Sequence, residues 1–381
     1  MEIINSVKTV ISTLLIVQAY LVYGKTYSEC LQDVENGVCQ RYTHITICTN
    51  DGVVHNGVCD YQRAICDAFY NRHISLTVIG TGANGVCNFT HHVTSTSPRP
   101  LSSVETNLYR AIADGIDKRL LRTQSAGTEV SEAIKIFSKQ DHVHYVYVRN
   151  SECWAQDLDL TCMSPWNSNG HNRKAGTLLS PRHAIWARHY NMPINTTLRF
   201  VDRNNKVVER KIIKIHALPV PAHTNYHSGY DMMIGLLDQD VPSSIAFAKV
   251  LPRNFTEIYG SHVNHALPVL STDYEEKALV DDLRMMHDKM VSLTAPSLSY
   301  RHAFYESKIV GDSGNPSFFI IDNQLVFLFV FTYGGAGAGT SVQYHFDDVN
   351  HVMKNLGGGY SLTEIDLSKY ASDSQITNIF G

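Results

Sequence analysis

The chain has 381 residues, a hydrophobic fraction of 44% and a formal net charge of −4. At about 150 residues per domain, this length allows two or three domains with packed cores. The small net charge and the lack of a long basic run argue against nucleic acid as a partner. The 19 histidines are scattered and show no HExxH spacing, so we expect neither a metal nor a cofactor.

Residues 1–24 have the features of a secretory signal. Lys8 precedes an apolar run over 10–23, and Gly24 is the expected cleavage point. An uncleaved anchor is the less favoured alternative, because the run is short for a membrane span. We therefore predict a secreted, extracellular protein with no membrane span after signal cleavage. Three sequons fit export and are candidate glycosylation sites, at Asn88, Asn195 and Asn254.

Residues 25–89 are predicted to form a small domain stabilised by disulfides. Six of the eight cysteines lie between Cys30 and Cys87. In an exported chain, this density indicates disulfides rather than metal binding. So short a stretch buries little apolar surface, and each disulfide compensates by about 2–4 kcal/mol. The spacing alone does not choose among the possible pairings.

This cysteine spacing, with CTNDG beginning at Cys48 and CDYQRAIC ending at Cys66, resembles a Kazal domain of the follistatin type. The resemblance implies three disulfides, Cys30–Cys66, Cys39–Cys59 and Cys48–Cys87. In inhibitory Kazal domains, the residue that enters the target protease lies two positions after the second cysteine, which is Arg41 here. The domain thus either inhibits another protease through the loop that carries Arg41 or is a purely structural or protein-binding module.

Residues 90–141 are predicted to be a linker with helices. TSTSPRPLSS is a Ser/Thr/Pro-rich segment typical of an exposed linker. Apolar residues then recur with a helical period from Val104 to Arg122, and a second short helix is predicted over 129–138. These helices are either a propeptide or a docking element.

From residue 142 the pattern changes to short alternating runs, which are typical of antiparallel sheet. The runs are HVHYVYV (142–148), TLRFVD (197–202), KVVERKIIKI (206–215) and DMMIGLL (231–237). Cys153 and Cys162 are predicted to form a disulfide near the start of this domain, which spans 142–360. An amphipathic helix is predicted from Phe346 to Leu356, ended by glycines, with a C-terminal tail over 361–381.

The segment VGDSGNP, from Val310 to Pro316, surrounds Ser313 with small residues. A hydroxyl that attacks a carbonyl needs N–H donors for the negative charge that develops, and the amides of Gly311 and Ser313 are the candidates for this oxyanion hole. It also needs an imidazole base that a buried carboxylate orients. On this motif alone, a glycine-rich turn between strands is an equal alternative.

GDSG, with a proline shortly after it, resembles the nucleophile loop of the chymotrypsin-like serine proteases. GTLLSPRHAIWARHY (176–190) resembles the family segment that ends at the catalytic base, and the match falls on His189. His183 is the rival base within that segment. DMMIGLLDQDVP resembles the strand that carries the carboxylate, with Asp231 at its start. The order His189, Asp231, Ser313 is the order of the family.

The resemblance covers about residues 146–356 and is closest to bacterial-type domains with few disulfides. It implies a mainly β fold with two six-stranded antiparallel β-barrels, and a serine endopeptidase that acts on a protein or peptide through an acyl-enzyme. The alternatives are a Kazal-type inhibitor or extracellular binding protein with an inactive protease domain, and, less favoured, an esterase. The substrate-binding positions that the resemblance implies are Ser307, Thr332, Tyr333 and Gly334.

Three departures from the family bear on this interpretation. Asn315 stands where the family has a second glycine after the nucleophile. No R-I-V-G-G activation site is present, so the partner of Asp312, which pairs with a new amino terminus in many family members, is left open. Ser307 is not an acid, so we expect no preference for arginine or lysine at the pocket base.

Overall fold

A computed structural model gives the structure of the chain, which forms two compact units, Met1–Pro100 and Leu101–Gly381. The second unit is described over 103–165, 174–226, 229–255, 266–287 and 289–370. The first is described over 46–49, 54–56, 60–61, 63–64, 78–83 and 86–88. The predicted signal (1–24), the first part of the predicted linker (90–102) and the end of the predicted tail (371–381) lie outside these residues.

The first unit contains a four-stranded antiparallel sheet. Its strands are β1 (Thr46–Thr49), β2 (Val54–Asn56), β3 (Val78–Ala83) and β4 (Val86–Asn88), in the order β2-β1-β3-β4. Arg41, Cys30, Cys39, Cys59 and Cys66 lie outside the described residues, and Cys48 and Cys87 are described only as backbone. The Kazal-like fold and its three disulfides therefore stay predictions.

The second unit is mainly β, as predicted. A hairpin of β5 (Phe137–Asp141) and β6 (Val146–Arg149) comes first. An antiparallel sheet, in the order β7-β8-β11-β10-β9, follows with β7 (Thr177–Ser180), β8 (His183–Trp186), β9 (Thr197–Val201), β10 (Val207–Ala217) and β11 (Met233–Leu237). These strands confirm the alternating runs of the sequence to within a few residues at their ends.

A larger sheet completes this unit. Its strands are β12 (Lys249–Val250), β13 (Pro268–Thr272), β14 (Ala278–His287), β15 (Met290–Thr294), β16 (Pro316–Ile321), β17 (Gln324–Val330) and β18 (Ala338–Thr340). They are ordered β12-β17-β16-β13-β14-β15-β18, with all pairs antiparallel except β12 with β17. The described strands thus form sheets of five and seven, and two six-stranded barrels stay a prediction.

Two predicted helices of the second unit are confirmed. They are α1 (Ser103–Ser125) and α4 (Phe346–Leu356). Two short helices lie between them in the chain, α2 (Val130–Ala133) and α3 (Ser299–His302). The bounds of α4 are those predicted, and the side chains it buries follow its helical period: Val349, Val352, Met353 and Leu356. No helix among the described residues combines the length and apolar character that a membrane span requires.

Helix α1 packs onto the seven-stranded sheet. Its buried stripe consists of Leu108, Ile112, Ile116 and Leu120. Gly115 allows this close approach, because a Cβ there would overlap the carbonyl oxygen of Ile320 on β16. Arg301 of α3 connects the helix to the sheet. It donates two hydrogen bonds, both 2.7 Å, to the carboxylate of Asp117 on α1 and a third, of 2.8 Å, to Asp282 on β14. The helix is therefore part of the core of this unit.

The helix predicted over 129–138 is only half right. α2 ends at Ala133, and the chain then enters strand β5 at Phe137. The cause is tertiary, because β5 pairs with β6 and the Phe137 ring packs on Tyr147 with centroids 5.4 Å apart. Pairing with a later strand outweighs the local helical pattern.

The two sequons of the second unit differ in exposure. Asn195 is exposed in the turn before β9, where its φ of 73° is in the left-handed region. Asn254 is partly buried, next to the fully buried Phe255. Asn88 ends β4 of the first unit, where only its backbone is described.

The predicted disulfide between Cys153 and Cys162 is wrong, because both residues are free thiols. Each side chain is buried in the main hydrophobic core of the second unit. A disulfide requires the two Cβ atoms to point toward each other within narrow limits of distance and direction. Proximity in sequence does not ensure this arrangement. Burial raises the pKa of each thiol to about 12.

We expect both thiols to resist iodoacetamide in the folded protein at pH 8 and to react fully after unfolding without reductant. The thiolate is the reactive form, and a pKa of about 12 leaves almost none of it at that pH. Mass spectrometry of the alkylated peptides checks this expectation. A peptide pair joined through Cys153 and Cys162 would contradict it.

Candidate active site

Strand pairing in the five-stranded sheet brings His189 next to Asp231. Trp186 at the end of β8 lies opposite Met233 at the start of β11. Because the two strands are antiparallel, the residues after β8 and those before β11 lie side by side. His189, in the short turn that follows β8, has its Nδ1 2.5 Å from Asp231 Oδ2, and its backbone N–H donates to Asp231 Oδ1 at 2.8 Å.

Asp231 is fully buried, whereas the His189 side chain is 25% exposed. Burial alone would raise the pKa of Asp231, but the hydrogen bonds from the side chain and backbone of His189 lower it below its ordinary value. The backbone N–H of Asp231 donates to Thr340 Oγ1 on β18 at 2.9 Å. An ionised carboxylate at this place keeps the proton of the imidazole on Nδ1 and leaves Nε2 as an acceptor.

Ser313 lies in the turn before β16, with its Oγ 2.8 Å from His189 Nε2. The turn is anchored to both sheets. Gly314 donates its N–H to the carbonyl of Phe331 at 3.0 Å, just beyond β17. On its other side, a Cβ at Gly314 would lie 3.5 Å from the backbone nitrogen of Ala187, which follows β8. With a φ of 90°, this position favours glycine over any larger residue.

The backbone amides of the serine loop fall into two groups. The N–H of Asp312 donates to the carbonyl of Ile309 at 3.2 Å, and that of Gly314 donates to Phe331. The amides of Val310, Gly311 and Ser313 donate to no protein acceptor within the described residues. Gly311 has a φ of 117°, again in the region that favours glycine. The two amides that the sequence predicts for an oxyanion hole are therefore among those left open.

The structure answers the question of the partner of Asp312. Its side chain is buried, and both carboxylate oxygens accept backbone N–H bonds, from Ile309 at 2.7 Å and from Tyr274 at 3.0 Å. Its own carbonyl accepts the backbone N–H of Asn315 at 3.1 Å and the side-chain Nδ2 of Asn315 at 3.0 Å. Asp312 and Asn315 thus frame the loop that carries Ser313.

The predicted substrate-binding positions lie on two neighbouring segments. Ser307 is exposed, and its hydroxyl donates to the carbonyl of Gly335 at 3.1 Å. Thr332 is buried, with its N–H bonded to Ala338 at 2.8 Å, whereas Tyr333 and Gly334 are exposed. Thr332 therefore belongs to the interior, and the other three lie at the surface.

His183, the rival base, is a structural residue. Its side chain is fully buried, with Nδ1 2.8 Å from Ser180 Oγ and Nε2 2.9 Å from the carbonyl oxygen of Gly357. Burial lowers the pKa of His183. Both ring nitrogens are engaged, so this histidine has no nitrogen available for a proton from Ser313.

Three residues at the site escaped the sequence analysis or were noted there only as departures. Thr340 is 109 positions from Asp231 and Tyr274 is 38 from Asp312, and no local pattern connects them. Asn315 was visible as a departure from the family pattern, but its bonds were not. In the described part of the chain, no group of three histidine, cysteine or acidic side chains is placed to hold a metal.

No protein-family model matches the chain, and no curated protein matches it.

Proposed function

We propose that the protein is a secreted serine endopeptidase that hydrolyses peptide bonds through an acyl-enzyme on Ser313. The observation that carries the proposal is the unbroken chain from Asp231 to His189 at 2.5 Å and from His189 to Ser313 at 2.8 Å. The order and spacing of these groups are those that activate a serine hydroxyl.

In the first half of the reaction, Ser313 Oγ attacks the substrate carbonyl while His189 Nε2 takes the hydroxyl proton. Asp231 holds the imidazole by Nδ1 and stabilises the cation that forms. The amides of Gly311 and Ser313 receive the negative charge of the tetrahedral intermediate. His189 then gives its proton to the leaving amine, and the acyl group remains on Ser313.

In the second half, water attacks the acyl-enzyme and His189 takes a proton from it. The ester bond to Ser313 breaks, the proton returns to Oγ, and the carboxylic acid product leaves. Each step uses only groups of this chain, so the reaction requires no cofactor or metal.

We assign the binding of an extended peptide to the exposed segment that follows Thr332. Gly334 is exposed, and its N–H and C=O bond to nothing within the described residues. Such an open edge can pair with the backbone of a substrate. Ser307 is neutral, so we expect no preference for a basic residue before the scissile bond. We assign the five- and seven-stranded sheets to the two barrels of a chymotrypsin-like domain.

The first unit is proposed to be a Kazal-like domain stabilised by disulfides. If Arg41 enters the active site of another protease, that protease is the partner of this domain. The alternative is that the domain is a purely structural or protein-binding module. The predicted signal over 1–24 supports secretion of both units together.

A fluorophosphonate probe tests the proposal, because only an activated serine reacts with it. We expect the folded chain to form one adduct, mapped by peptide mass spectrometry to Ser313, and the heat-unfolded chain to form none. A folded chain that stays unlabelled would favour the alternative of a binding protein with an inactive protease domain.

A further inference from the structure

Asn315 donates two hydrogen bonds to a single acceptor in the serine loop. Its backbone N–H and its side-chain Nδ2 both donate to the carbonyl oxygen of Asp312, at 3.1 and 3.0 Å. The side chain is 4% exposed, so water does not compete for this bond. A glycine, the residue of the chymotrypsin-like family at this place, would lack the second donor.

The carbonyl of Asp312 belongs to the same peptide unit as the N–H of Ser313. A trans peptide is planar, and its C=O and N–H point in opposite directions. Since Asn315 draws the carbonyl toward itself, the N–H of Ser313 points the other way. This amide donates to no protein acceptor in the described part of the chain.

We propose that Asn315 is a positioning residue that orients the Asp312–Ser313 peptide, so that the N–H of Ser313 faces the oxyanion of the substrate. The inference deepens the proposed function and rests on it. The other polar atom of its side chain, Oδ1, accepts the Thr272 hydroxyl at 3.5 Å, so neither polar atom of this side chain bonds a member of the triad.

Asn315 is itself held in place. Its carbonyl accepts the N–H of Phe331 at 2.8 Å, which continues the pairing of β16 with β17. At the other end of the loop, the carboxylate of Asp312 is held by the amides of Ile309 and Tyr274. With both ends fixed, loss of the Asn315 side chain frees mainly the peptide between them.

The test compares Asn315→Ala with Asn150→Ala. Asn150 is a matched control, because it is also buried and its Nδ2 also bonds backbone carbonyls, those of Glu132 and Lys135 at 2.8 and 3.0 Å, away from the serine loop. We expect Asn315→Ala to lower kcat and the rate of fluorophosphonate labelling by about 10- to 100-fold, less than the full loss of an oxyanion donor. KM and the pH midpoint of labelling should not change, since His189 and Asp231 are untouched.

Asn150→Ala should lower the melting temperature and leave kcat at the wild-type value. Asn315→Asp should lose at least as much activity as Asn315→Ala, because a carboxylate has no hydrogen to donate to the Asp312 carbonyl. If Asn315→Ala does not fold, as judged by circular dichroism, Asn315→Gly provides the same loss of the side-chain donor.

The outcomes separate the two proposals. If the wild-type chain reacts with the probe and the folded Asn315 variant reacts equally fast, the role of Asn315 is overturned and the protease proposal stands. If the wild-type chain does not react at all, both are overturned. If the variant lowers the melting temperature but leaves kcat and the labelling rate unchanged, Asn315 only stabilises the fold.

Discussion

Replacement of Ser313 by alanine is expected to lower peptide turnover by about 10⁶-fold while the protein stays folded. The Ser313 hydroxyl is partly exposed, and the bond it makes is to His189 Nε2 at 2.8 Å. Removal of one oxygen leaves the turn intact, because Gly314 and Asn315 still bond to the backbone of Phe331. The loss should therefore fall on chemistry rather than on stability.

The measurement is kcat for a peptide substrate, with circular dichroism as the check of folding. Ser299→Ala is the matched control, because Ser299 is also partly exposed but begins helix α3, away from the triad. It should retain wild-type turnover. Unchanged hydrolysis by purified Ser313→Ala would exclude this serine as the nucleophile.

Replacement of Asp231 by asparagine is expected to lower kcat by about 10⁴-fold. An asparagine can still accept the backbone N–H of His189, so the local geometry should survive. Its amide, however, carries hydrogens toward Nδ1 and would make that nitrogen an acceptor. The proton would then lie on Nε2, and His189 could not take the proton of Ser313.

Asp238→Asn is the control for this second test. Asp238 is exposed after β11, where its carboxylate accepts the N–H groups of Lys211 and Gln239. An asparagine there can accept the same bonds, and kcat/KM should stay near the wild-type value. Equal activity of Asp231→Asn and the wild-type protein would mean that the carboxylate does not orient the base.

Much of the fold follows from local sequence. The period of apolar residues predicted α1 and α4, and the short runs rich in apolar residues predicted β9, β10 and β11. The motif around Ser313 and the two segments that resemble protease strands pointed to three residues that the structure brings within hydrogen-bonding distance. Each of these signals lies within about fifteen consecutive residues.

By itself, the sequence determined helices α1 and α4, most strands of the smaller sheet and which three residues meet at the site, because periodicity and short motifs are local properties. Only the tertiary structure decided that Cys153 and Cys162 stay apart as free thiols, that Phe137 enters a strand, and that Asn315 bonds the Asp312 carbonyl. These outcomes depend on the direction of each side chain and on how the surrounding segments pack, which no local pattern records.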